Sequence, residues 1–168
     1  MQAHSHAESA RSILVGAAAR SALRADCPEW TRHPPAPALA LGHADQRILI
    51  VNEDMRSADA LKRTLAELGY RATFTAYSAR RALVAADDFS PAVAFLDLEL
   101  PDMSGFQLAQ KLRAHTNRHV RRVSLIAVAE IDAFGNGELA SAAGFAGCLT
   151  KPVRPADLDR LLHSLWRC

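Results

Sequence analysis

AFLDLELPDMSG, residues 94–105, poses the problem that decides the fold. Its first half is apolar enough for a buried strand, yet the run ends on Asp97, ahead of a proline and glycine turn. A lone ionised carboxylate is costly to bury. A core strand that ends on one therefore needs a reason.

Outward from this stretch, short apolar runs alternate with helical patterns. RILIV (47–51) is a continuous apolar run, the mark of a strand covered on both faces. SADALKRTLAELGY (57–70) carries Leu61, Leu65 and Leu68 at helical spacing, and Gly69 suits its end. RATFTAY (71–77) reads as a strand. SARRALVAADD (78–88) reads as a helix capped by Ser78. AVAFLD (92–97) is the third strand, followed by a helix from about Ser104 to Arg113. VSLIAVA (123–129) and FAGCLT (145–150) are the fourth and fifth strands, and PADLDRLLHSLW (155–166) is a closing helix with Pro155 in its first turn. Between the last two strands, Gly135, Asn136 and Gly137 leave room for a short helix only, about Glu138 to Ala143. Such alternation implies parallel strands, right-handed crossovers and helices on both faces of one sheet.

The N-terminal part, residues 1–45, reads as a disordered tail or linker, with Pro34, Pro35 and Pro37 extending it; residues 46–168 form the domain. His4 and His6 lack further ligands nearby and read as solvated. The 168 residues, 49% hydrophobic and 23% charged, support a real core, and a formal net charge of +2 does not suggest a nucleic-acid binder. Cys27, Cys148 and Cys168 are odd in number and widely spaced, so a reduced cytoplasmic setting is expected. ILVGAAA (13–19) is far short of the roughly 20 residues needed to span a membrane. Asp26 before Cys27 spoils a faint lipoprotein box.

In a sheet of this kind functional groups gather at the carboxyl ends of the strands. Here those ends carry Asn52, Glu53 and Asp54 after strand one, Asp97 after strand three, Ala129 and Glu130 after strand four, and Thr150 and Lys151 after strand five. Two like charges 4 Å apart repel by roughly 4 kcal/mol at an effective dielectric near 20. An acidic cluster therefore calls for a cation, and hard oxygen ligands suit Mg²⁺. A metal-bound carboxylate beside a lysine is a place for a phosphoryl group, with Asp97 as nucleophile. This is a reason for Asp97 to end a core strand.

The stretches ILIVNEDMRSADALKRTLAELGY, AFLDLELPDMSGFQLAQKLR and AAGFAGCLTKPV resemble the receiver domain of two-component response regulators, over about residues 46–168. The resemblance implies a flavodoxin-like (βα)5 fold, a doubly wound parallel five-stranded sheet of order 2-1-3-4-5. It implies that Asp97 is the phosphoacceptor and that Lys151 contacts the phosphoryl group. Glu53, Asp97 and the backbone carbonyl of Glu99 are the implied Mg²⁺ ligands, with Asn52 or Asp54 as a further candidate, and the bond before Pro152 is expected to be cis. Three positions depart from the family's pattern. Asn52 stands for the first acid of the acidic pair. Ala129 stands where a switching Thr or Ser is usual, and Cys148 where an aromatic residue rotates inward. Glu130, beside Ala129, is a candidate modulator of the phosphoryl site.

The leading expectation is a phosphorelay component, not itself an enzyme. It takes a phosphoryl group from a histidine kinase or histidine phosphotransfer protein and acts through protein contacts, without direct DNA or membrane binding and with no output domain after the fifth helix. The alternatives are a pseudo-receiver that works by binding alone, and, remotely, an aspartyl-phosphate phosphatase of the haloacid dehalogenase type. The basic run KLRAHTNRHVRR (111–122) reads as a solvated helix end, Trp166 as a packing residue, and Trp30 as a tail residue that could dock on the domain.

Overall fold

The computed structural model describes residues 43–130 and 142–166. After a short 3-10 turn at His43–Asp45, strand β1 (Ile48–Val51) leads to α1 (Met55–Glu67), β2 (Thr73–Ala76), α2 (Ala79–Phe89), β3 (Val93–Asp97), α3 (Gly105–Arg113), the single turn α4 (Arg118–Arg121), β4 (Ser124–Ala129), β5 (Gly147–Thr150) and α5 (Pro155–Trp166). The strands pair in parallel in the order β2-β1-β3-β4-β5. This is the flavodoxin-like arrangement expected. The expected helix at Glu138 to Ala143 lies largely outside the described residues, as do His4, His6 and Trp30.

The sheet separates two cores. Ile48, Ile50, Val93, Phe95, Ile126, Val128 and Leu149 pack on Ala58, Leu61 and Leu65 of α1 and Leu158, Leu162 and Leu165 of α5. Leu49, Val51, Ala94, Leu96, Leu125, Ala127 and Cys148 pack on Ala82 and Ala86 of α2 and Leu108 and Leu112 of α3. Successive strand residues point to opposite faces, so runs such as ILIV and VAFLD must be apolar throughout to fill both layers. Each fully buried Leu or Ile contributes about 1.5–3 kcal/mol relative to exposure.

Three local features differ from the sequence expectation. Helix α1 starts at Met55, ahead of Ser57, because Asp54 accepts the N–H groups of Arg56 and Ser57 and draws the first turn back. The basic run does not stay wholly in solvent: Arg113 turns inward. Its guanidinium donates to the carbonyls of Arg121 (2.9 Å), Val123 (2.7 Å) and Gly144 (2.7 Å). Burial pushes Arg113 below its usual pKa, yet a guanidinium stays charged. Arg113 thus ties α3 to the start of β4 and to the turn before β5. Gly144 has φ +75°, and a Cβ there would lie 2.9 Å from Arg113 Nε. Trp166 is a packing residue, as expected; its indole N–H donates to the Tyr70 hydroxyl at 2.9 Å, tying the end of α5 to the start of β2. Cys148 is disulfide-bonded, which departs from the expectation of three reduced thiols.

Candidate functional site

Strand alternation sorts the polar residues at the sheet's carboxyl edge. Ile48 and Ile50 face the α1/α5 core, and Asn52, two residues on, shares that face. Asp97 follows Val93 and Phe95 in the same way, and Lys151 follows Leu149. Three segments far apart in sequence therefore bring an amide, a carboxylate and an ammonium to one side of one edge.

Asp97 is 3% exposed. One carboxylate oxygen accepts from Lys151 Nζ at 2.5 Å, and the other accepts the backbone N–H of Glu99 at 3.1 Å. Lys151 is held by its backbone: its N–H donates to the Ala129 carbonyl at 2.9 Å, extending the β4–β5 pairing by one bond. The Lys151–Pro152 bond is cis. The buried carboxylate is thus compensated by one cation and one N–H, as burial of a charge requires.

The loop before α1 divides its polar groups. Asn52 is buried and its side-chain oxygen accepts the Asp54 N–H at 2.8 Å. The Asp54 carboxylate accepts the Ser57 hydroxyl at 2.6 Å together with the N–H groups of Arg56 and Ser57. Those bonds, the Ser57 hydroxyl first, hold its pKa below the usual value. Asp54 is therefore engaged as a helix cap. Glu53, between the two, is exposed, and so is Glu99. Among the described residues no three His, Cys, Asp or Glu side chains gather into a metal cage. With Asn52 in place of an acid, the ligands that the resemblance implies are the Glu53 and Asp97 carboxylates, the Glu99 carbonyl and an amide oxygen. All are hard oxygens, a set that fits Mg²⁺ in kind but with little negative charge to hold it.

Ala129 and Cys148 lie buried on the other face, toward α2 and α3. Glu130 is exposed. Thr150 pairs with Ala129 in register, and its hydroxyl is buried without a hydrogen-bond partner among the described residues. Sequence reading assigns that hydroxyl no role, because nothing local marks a threonine whose neighbour lacks a partner group.

Two further residues shape the site. Asp102, in the loop between β3 and α3, accepts the N–H groups of Ala79 (2.9 Å) and Arg80 (2.8 Å), capping the neighbouring helix α2. Desolvation raises its pKa, but the two N–H bonds outweigh this and leave it below the usual value. Gly105 opens α3 where a Cβ would collide with the Asp97 carbonyl oxygen and lie 2.8 Å from Leu98 Cα. Only glycine fits that approach. Ser104 and Gln107 complete a capping box beside it.

The sequence matches the response regulator receiver domain family over residues 48–163. An uncharacterised 14.6 kDa protein of Leptolyngbya boryana is 31% identical over 121 residues, covering 71% of this chain and 89% of that protein. The regulatory protein AtoC of Escherichia coli is 30% identical over 118 residues, 70% of this chain but only 24% of its own length. Among solved structures, the receiver domain of sensor histidine kinase PA1611 from Pseudomonas aeruginosa, described with a magnesium ion coordinated in its active-site cleft, is 27% identical. It aligns with a TM-score of 0.65 over 73% of this chain and 98% of that one. The chain belongs to the response regulator receiver domain family.

Proposed function

We propose that Asp97 accepts a phosphoryl group from a phosphohistidine on a histidine kinase or phosphotransfer protein, and that residues 46–168 signal through protein contacts. One observation carries this reading: a strand-end carboxylate, 3% exposed, is paired with a lysine 54 residues away at 2.5 Å. A carboxylate oxygen of Asp97 attacks phosphorus, the P–N bond to the donor imidazole breaks with its electron pair left on nitrogen, and an acyl phosphate forms. Lys151 neutralises charge on the incoming phosphoryl oxygens.

Glu53, Asp97 and the Glu99 carbonyl would hold Mg²⁺, with Asn52 contributing an amide oxygen. Asp54 stays with its helix. Bound there, Mg²⁺ shields the repulsion between carboxylate and phosphoryl group. Replacement of an acid by Asn52 predicts weak metal affinity. Ala129 and Cys148 supply neither the hydroxyl nor the ring of the family's usual relay, so any conformational response runs by another route.

The test is incubation with Mg²⁺ and acetyl phosphate, or with a phosphorylated donor protein, followed by intact mass. One added phosphoryl group, absent in Asp97→Asn, is expected. No labelling from any donor would favour the pseudo-receiver reading, and sustained release of phosphate from many monoesters the phosphatase reading.

A further inference from the structure

Helix α2 and the edge strand β2 border an open groove of about 760 Å³. Phe74, Ala85 and Phe89 form its floor, and the two rings pack with centroids 5.8 Å apart. Beside the floor stands Val84, 69% exposed, so a projecting apolar side chain and an apolar recess share one face. None of these residues belongs to the phosphoryl site.

The charges along α2 oppose its macrodipole. Arg80 and Arg81 stand in the first turn and Asp87 and Asp88 in the last; the first turn has no acid and the last no base. An isolated helix favours the reverse at both ends. Two of the four have neighbours within the chain. Asp102 accepts the Arg80 N–H at 2.8 Å, and Asp87 accepts from the Asn117 amide nitrogen at 2.9 Å. The Arg81 guanidinium and the Asp88 carboxylate make no ion pair or side-chain hydrogen bond among the described residues. Seven residues apart, they share one side of α2 but lie about 10 Å from each other along its axis, too far to pair within one helix.

Their spacing is symmetric about the apolar centre. Arg81 lies three residues before Val84, and Asp88 three residues after Ala85. A two-fold axis between Val84 and Ala85 runs a second α2 antiparallel to the first. It sets Arg81 of each copy opposite Asp88 of the other, and Val84 of each copy over the groove of the other. Parallel alignment would set like charges face to face. We infer that α2 is a self-complementary docking surface whose partner is a second copy of this chain, joined antiparallel through two Arg81–Asp88 pairs around Val84. The assembly draws on no property of Asp97. An interface built on one helix face is small and forms reversibly, and salt weakens it by screening the two pairs.

The experiment is sedimentation equilibrium of the full chain over a concentration series reaching millimolar protein, with circular dichroism of every variant. A reversible dimer is expected. Arg81→Asp alone and Asp88→Arg alone should each weaken it by at least about tenfold, since like charges then face each other. The two changes in one chain should restore it, because antiparallel alignment again opposes unlike charges. Both changes also suit the macrodipole, so helix content should not fall, which separates loss of assembly from loss of fold. Val84→Glu sets two carboxylates near the axis and should abolish the dimer. A chain that stays monomeric throughout the series overturns the inference and leaves the groove to a different protein. So does a dimer that Val84→Glu leaves intact, or one that the double reversal fails to restore.

Discussion

Lys151 and Arg113 are both cations drawn inward, but they act differently. Lys151 compensates a single carboxylate. Lys151→Met removes that cation and leaves Asp97 buried beside Val128, its register partner on β4. Breaking a fully buried pair costs about 3–5 kcal/mol. Since Lys151 is 26% exposed, a loss of about 1–3 kcal/mol in denaturant unfolding is expected, with labelling by acetyl phosphate much reduced. The three bonds of Arg113 all go to carbonyls. Arg113→Met strands those carbonyls, and about 2–3 kcal/mol should be lost on chemical denaturation, with no effect on the chemistry at Asp97.

At the scale of elements, the starts of three helices are tuned to the site. Gly105→Ala pushes the first turn of α3 against the Asp97 carbonyl, where the backbones approach too closely to admit a methyl group. The backbone carrying Asp97 must shift, so phosphorylation should slow by at least about tenfold, as small misplacements of reacting groups do, and thermal stability should fall. Asp54 and Asp102 cap α1 and α2, and both carboxyls sit below their usual pKa. A depressed folded-state value means that stabilisation is present above the unfolded value, near 3.9, and is lost as pH falls through the folded value. Acid titration should therefore show α1 and α2 loosening below about pH 4. In Asp102→Asn the acid limb should be shallower and the neutral-pH stability lower, measured by urea midpoint against pH.

At the scale of the whole molecule, the sheet works as a partition. The α1/α5 side carries Asn52, Asp97 and Lys151, whereas Ala129 and Cys148 sit on the α2/α3 side. Much of this is legible in the sequence. Continuous apolar runs mark strands buried on both faces, and the strand ends name Asp97 and Lys151. The resemblance adds the strand order, because several orders satisfy the same alternation. Asp54 illustrates what is not legible. Beside Asn52 it reads as a spare metal ligand, and only the start of α1 shows that its oxygens are taken. No helix among the described residues is long and apolar enough to cross a membrane.

By itself the sequence determined the order of elements, their burial on both faces and the residues standing at each strand end, because periodicity and punctuation are local properties. Tertiary structure alone decided which polar groups are consumed. Asp102 reaches α2 across 23 residues, Arg113 reaches Gly144 across 31, and Lys151 reaches Asp97 across 54. A hydrogen bond depends on placement within a few tenths of an ångström, and packing of the whole chain sets that placement.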